Sequence, residues 1–256
     1  MLQNYRKMKK SFFILVAGAM MMSLVCGCAG RGSEAEHEDV LSFEQAKAEE
    51  PSLMSTDEII ALVKSDTTHK KVVYWFDYLC KPCREHLQND IAKFYSDHDT
   101  AEWHIYLVAG LNGLHHSEPD AEGNLVEEAP TENIRHFAKA YRELLPSLGF
   151  DMKDVYLHYD PVLESSAAYK EKYPEGDFFG QLANAMFHSD VAFRCEHDGI
   201  PRLFVADRTG HLLTDYYIIV SNDMDTLDAY YVPNEYYQFD IEDFNRHDTM
   251  IGVMMK

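Results

Sequence analysis

Hydrophobic and polar positions along the chain alternate between short apolar runs and helical stripes. Val72-Val-Tyr-Trp-Phe76 is β-branched and aromatic throughout and predicts a buried strand that stops at Asp77-Tyr78-Leu79. After it, Leu87, Ile91 and Phe94 share one face of a helix over Arg84–Tyr95. Upstream, Ser55-Thr-Asp-Glu58 offers an N-cap and a returning carboxylate before Ile59, Ile60, Leu62 and Val63, so a short helix is expected over 56–65. Glu102–Ala109 predicts a second strand, ended by Gly110 and followed by a polar loop from Asn112 to Glu128. Strand, helix and strand make a βαβ unit, which implies a right-handed parallel crossover.

Further on, Thr131 is expected to cap a helix whose apolar face is Ile134, Phe137, Ala138, Tyr141, Leu144 and Leu145, with Pro146 and Gly149 ending it. Residues 150–176 show no clear period, and Asp177 is placed to cap a helix burying Phe178, Leu182, Met186 and Phe187. Leu203–Ala206, the turn Asp207-Arg-Thr-Gly210 and Leu212–Val220 predict an antiparallel hairpin. The aromatic tail with Tyr230, Tyr231, Tyr236, Tyr237, Phe239 and Phe244 is expected to hold a terminal helix. The order of elements is that of an α/β domain.

The first 27 residues follow a different logic. Arg6, Lys7, Lys9 and Lys10 precede the apolar stretch Ser11–Val25, the arrangement of a secretory signal that is short for a membrane span. Its end, Leu24-Val25-Cys26-Gly27-Cys28-Ala29, resembles the lipobox of bacterial lipoproteins, with Cys28 as the lipidated residue and Cys26 leaving with the signal. Residues 28–54, rich in Glu, Ser and Ala, are expected to be a flexible acidic tether to a domain spanning 55–256. The chain of 256 residues carries a formal net charge of −20. Removing the signal lowers 23 basic residues to 19 against 43 acidic ones, or −24. Such a balance argues against nucleic acid and against docking on an anionic lipid surface by charge. The expected location is extracytoplasmic, periplasm-facing or at the cell surface, with a lipid anchor in the membrane.

Candidate chemistry concentrates at Cys80-Lys81-Pro82-Cys83. Cys80 falls where a strand hands over to a helix, so unpaired backbone N–H groups and the helix dipole favour its thiolate. Those terms lower a thiol pKa from about 8.5 towards neutrality, and Lys81 adds a positive charge. Pro82 suits a first helical turn, where its missing N–H has no partner to lose. Cys83 is spaced to close back on Cys80 and release a mixed disulfide. A CxxC also occurs in zinc sites and in fixed structural bridges, and both alternatives stay open at this point.

Strand, CxxC and helix, a second strand, then Gly199-Ile200-Pro201 leading into an antiparallel hairpin together resemble the thioredoxin superfamily. The resemblance covers roughly residues 55–220. It implies a central mixed sheet flanked by helices, and a cis bond at Ile200–Pro201, which would lie against the active-site disulfide and shape the substrate groove. Phe76-Asp77-Tyr78-Leu79 is similar to the DsbA-like oxidase and isomerase branch, whereas Lys81-Pro82 is similar to thioredoxin and tethered reductases. From 83 to 201 is 118 residues, longer than in thioredoxin, which implies a helical insertion over about 112–192. Members of the family often carry a buried carboxylate six residues before the first cysteine. Tyr74 stands there instead and cannot accept a proton near neutral pH, which leaves Asp77 as the nearest candidate, with a solvated turn residue an equal reading of it.

The resemblance implies a thiol–disulfide oxidoreductase, leaning towards reduction, that exchanges with cysteine-containing extracytoplasmic proteins and a membrane redox partner. The Cys80–Cys83 disulfide is itself the redox group, so no cofactor or metal is expected. With no room for a dimerisation domain in 29–54, a monomer is expected. Cys195 and His197 could instead join Cys80 and Cys83 as four soft metal ligands, although a lone cysteine is more often a small buried hydrophobe. His115 and His116, beside Glu118 and Asp120, read as solvated surface. The remaining alternative is a non-catalytic binding lipoprotein with a structural bridge.

Overall fold

The strand from Lys70 to Asp77 (β1) is buried on both faces because it is the centre of a layered α/β domain. The computed structural model describes residues 40–188, 199–220 and 229–233, without the side chains of 213–220 and 229–233. In chain order the elements are α1 (Phe43–Glu49), α2 (Thr56–Ser65), β1, α3 (Lys81–His86), a π-helical turn (Leu87–Ile91), α4 (Ala92–Asp97) and β2 (Trp103–Gly110). A small hairpin, β3 (Ser117–Pro119) and β4 (Leu125–Glu127), precedes α5 (Pro130–Ser147), β5 (Val155–His158), α6 (Pro161–Glu164), α7 (Ser166–Lys172) and α8 (Phe178–Met186). Then follow β6 (Arg202–Ala206), β7 (Leu212–Val220) and β8 (Ala229–Pro233).

One sheet has the order β5-β2-β1-β6-β7-β8, and β3 and β4 pair apart from it. β1 runs parallel to β2, and β2 to β5; β6, β7 and β8 are antiparallel to their neighbours. Side chains alternate across the sheet with period two. Val72, Tyr74 and Phe76 join Ile105, Leu107, Leu203 and Val205 in one core with Leu87, Ile91, Phe94 and the apolar face of α5. Val73 and Trp75 join Tyr106, Val108, Phe204 and Ala206 in a second core under α2 and α8. A strand covered on both faces has no polar face to show, which is why β1 reads as an unbroken apolar run. Each large side chain so buried contributes about 1.5–3 kcal/mol relative to exposure.

Several expectations hold in detail. Ser55 and Glu58 form the reciprocal capping box of α2. The Asp177 carboxylate accepts the Gly180 N–H at the start of α8. Asp207 Oδ1 gathers the N–H groups of Thr209 and His211 at the β6–β7 turn, and Gly210 there has φ +84°, which favours glycine.

Others are corrected. Residues 41–54, read as part of the tether, belong to the domain: Ser42 caps α1 through a capping box with Gln45, and Ala46 and Leu53 are buried in the first core. The insertion is mixed rather than helical, since the Asn112–Glu128 loop folds into β3 and β4. The stretch read as irregular supplies β5, which extends the sheet beyond β2. α5 starts from Ala129 with Pro130 in its first turn, so Thr131 lies inside the helix and does not cap it. Tyr230 and Tyr231, expected in a helix, lie in β8, where an aromatic and β-branched run suits strand pairing. The rest of the aromatic tail, the signal segment with Cys28, and Cys195 with His197 lie outside the described residues.

Candidate active site

Topology brings the chemistry to one end of the sheet. β1 ends at Asp77, and the antiparallel β6 begins beside it, with Arg202 opposite Trp75. Ile200 and Pro201, just ahead of β6, therefore arrive next to the residues that leave β1. The chain turns through Tyr78 and Leu79 into α3, and Cys80 is the N-cap of that helix.

Cys80 and Cys83 are joined as a disulfide, with their Cα atoms 5.2 Å apart. The two sulfurs have unequal surroundings. Cys83 is completely buried in the first core, whereas Cys80 is half-buried at its edge beside the exposed Leu79. In the disulfide form the Cys83 N–H donates to Cys80 Sγ at 3.2 Å and caps α3, a donor that would also stabilise a Cys80 thiolate after reduction. Across the gap the Ile200 carbonyl oxygen stands 3.9 Å from Cys80 Sγ, and the Ile200–Pro201 bond is cis. Pro82 occupies the first turn of α3. Lys81 points into solvent at 65% side-chain exposure and pairs with Glu85 at 3.6 Å.

Behind the sulfurs, three side chains set the local electrostatics. Asp77 Oδ1 accepts the Cys80 N–H at 2.6 Å. Burial pushes the Asp77 carboxyl above the usual carboxylate range, against the lowering effect of the Cys80 and Leu79 N–H groups and of Arg84. Asp77 is thus a poorly solvated acid and not a solvated turn residue. Tyr74 is fully buried, and its hydroxyl donates to the Cys83 carbonyl at 3.2 Å. Tyr141 donates to the carbonyl of Gly110, the residue opposite Asp77 in the β1–β2 register, and burial holds its phenol well above the normal range.

His86, which the sequence reading did not single out, is fully buried one turn after Cys83 with its ring 5.3 Å from that of Tyr74. Burial pulls its pKa down to about 3, so the ring is neutral under physiological conditions. A histidine directly before Leu87 of the apolar stripe was the available signal. Tyr141 was read only as core, and its i, i+4 spacing from Phe137 conceals its approach to Asp77.

Cys80, Cys83, Tyr74, Pro82, Asp77, Ile200 and Pro201 are thus brought together, and Lys81 stands at the rim. A half-buried sulfur at a helix start, backed by a buried second sulfur and a desolvated carboxyl, is suited to nucleophilic sulfur chemistry. No family model, curated protein or solved structure matches the chain.

Proposed function

We propose that the protein is a membrane-anchored, extracytoplasmic thiol–disulfide oxidoreductase of the thioredoxin-like class, working on protein substrates and favouring reduction. The observation that carries this reading is the unequal pair: a half-buried Cys80 capping α3, a buried Cys83 behind it, and the Ile200 carbonyl facing Cys80. Two further observations support the class, namely the strand order with β1 between a parallel β2 and an antiparallel β6, and the cis bond ahead of β6.

In the reductive direction the Cys80 thiolate attacks one sulfur of a substrate disulfide, forming a Cys80–substrate disulfide and releasing the other substrate sulfur as a thiolate. Cys83 then loses its proton and attacks Cys80 Sγ. That step restores the Cys80–Cys83 bond and expels the second substrate thiolate. Two electrons pass from the dithiol to the substrate, and a membrane redox partner must return them. Asp77, held protonated more readily than an ordinary carboxyl, is the candidate acceptor for the Cys83 proton. Tyr74 is committed to the Cys83 carbonyl and fixes the backbone of the resolving cysteine. Ile200 and Pro201 line the groove in which the substrate sulfur meets Cys80.

The test is to trap the intermediate. Reduced Cys83→Ser protein mixed with a peptide disulfide should accumulate an adduct on Cys80, visible by mass under non-reducing conditions. Absence of that adduct, with Cys80 accessible to alkylation, would leave a structural bridge as the better account.

A further inference from the structure

We propose that His116, Glu128 and His136 form a binding site for a divalent cation of the zinc class. The proposal stands apart from the thiol reading and does not depend on it. The base of the β3–β4 hairpin is closed by the Glu128 N–H donating to the His116 carbonyl at 2.9 Å. Asn133 of α5, itself buried, clamps both strands of that base: Oδ1 accepts the His116 N–H at 2.8 Å, and Nδ2 donates to the Glu128 carbonyl at 3.2 Å. His136 lies three residues along α5 from Asn133, so the helix presents it to the same point. The three side chains come from three elements held in register by backbone contacts, and each offers an atom within 4.8 Å of the others.

Hydrogen bonding inside this cluster is incomplete. His116 Nδ1 and Glu128 Oε2 are buried without a hydrogen-bond partner. The close approaches, His116 Nδ1 to Glu128 Oε1 at 3.4 Å and His136 Nδ1 to Glu128 Oε2 at 3.9 Å, leave those atoms unsatisfied. The His116 and His136 rings stack with their centroids 3.8 Å apart. Leaving a buried acceptor such as Glu128 Oε2 unmatched costs about 1–3 kcal/mol, and a cation held between it and the two imidazoles would satisfy it. Two imidazoles and one carboxylate favour zinc-class ions over calcium or magnesium, which prefer all-oxygen sites, and leave a fourth position for water. The adjoining cleft sets Glu118, Asp120, Glu127 and Glu132 against Arg135 and Lys139, an excess of negative charge that draws cations in.

A second cluster, Asp66, His69 and His104, has similar composition but a different interior. Both histidine Nδ1 atoms already hydrogen-bond the Asp66 carboxylate, at 3.0 and 2.9 Å to the same oxygen. It therefore serves as the internal control.

The experiment uses the full chain in detergent, stripped of metal, with Cys80–Cys83 kept oxidised so that those sulfurs cannot bind. Zn2+ is titrated against a chromophoric chelator, and the loaded protein is examined by zinc X-ray absorption. The expected result is a single stoichiometric site with two imidazole ligands. His116→Gln and His136→Gln should each weaken it at least about tenfold, and Asn133→Ala by a similar factor through misplaced ligands. His69→Gln and Cys195→Ser should leave it unchanged. Absence of a stoichiometric site in the wild-type chain overturns the proposal, as does sulfur ligation in its spectrum. Binding that survives His116→Gln combined with His136→Gln overturns it too. Because the spectrum is read on the wild-type chain, a poorly folded variant does not shelter the idea.

Discussion

Asp66 and Asp77 stand at opposite ends of β1, four residues before it begins and at its last position, and their carboxyl groups are held in opposite directions. Burial pushes both upward. At Asp66 that push is outweighed by the N–H groups of Thr68 and His69 and by the His104 and His69 side chains, so its pKa falls below the usual range. At Asp77 the Cys80 and Leu79 N–H groups and Arg84 do not offset burial, and the pKa rises. Asp77 is the more deeply buried of the two and receives fewer donors, and both differences favour its protonated form. The end with the raised pKa, next to two sulfurs, holds the group proposed to take the Cys83 proton.

The largest effect expected on this contrast comes from Cys80→Ser, which should remove disulfide exchange altogether while the fold persists, measured by peptide disulfide reduction. Next is Asp77→Asn. The amide oxygen can still accept the Cys80 N–H, but the proposed proton acceptor is gone. Turnover at neutral pH should fall about 10²-fold, with the loss in resolution of the mixed disulfide and not in its formation. Asp66→Asn should do the reverse: exchange per folded molecule unchanged, and stability lower by about 2 kcal/mol in denaturant titration, because Asn keeps one acceptor oxygen and the donors on the other lose theirs.

pH separates the two groups further. A lowered folded pKa at Asp66 means stability that is present above the unfolded value of about 3.9 and is lost as pH falls from there towards the lower folded value. A raised folded pKa at Asp77 has the opposite sign: the fold loses stability as pH rises from the unfolded value through the folded one. Asp77→Asn should accordingly stabilise the protein at neutral pH, and Asp66→Asn should flatten the acid limb of stability. The smallest effect is that of Tyr74→Phe, which removes one hydrogen bond to the Cys83 carbonyl and should cost about 1 kcal/mol.

The legible parts of the fold were those where local pattern and tertiary burial agree. β1, β2 and β6 announce themselves as apolar runs because both their faces are covered, and Ser55 and Asp177 cap helices by chemistry confined to three residues. α1 was hidden because its hold on the core comes from isolated positions, Ala46 in the helix and Leu53 beyond it, within an otherwise polar stretch. β3 and β4 were hidden for a related reason: all their side chains are exposed, so no periodicity marks them. Four-residue β5 depends on pairing with β2 from Leu107 to Gly110, a contact no local window contains.

At the site, the spacing of Cys80 and Cys83 and the position of Pro201 were visible in the chain. The burial of His86 and the desolvation of Asp77 were not, since both are set by side chains that meet only in three dimensions. Likewise, His116 and its acidic neighbours look like solvated surface in sequence, and only the closure of the hairpin onto Asn133 places His116 against Glu128 and His136.

The most direct test of the central claim is the reduction potential of Cys80–Cys83 in the full chain, equilibrated against thiol buffers of known poise. The account requires a reversible two-electron couple, near about −270 mV if the pair acts as a reductase, with the fold intact in both states. A pair that no thiol buffer titrates reversibly, or whose reduction unfolds the domain, would contradict it.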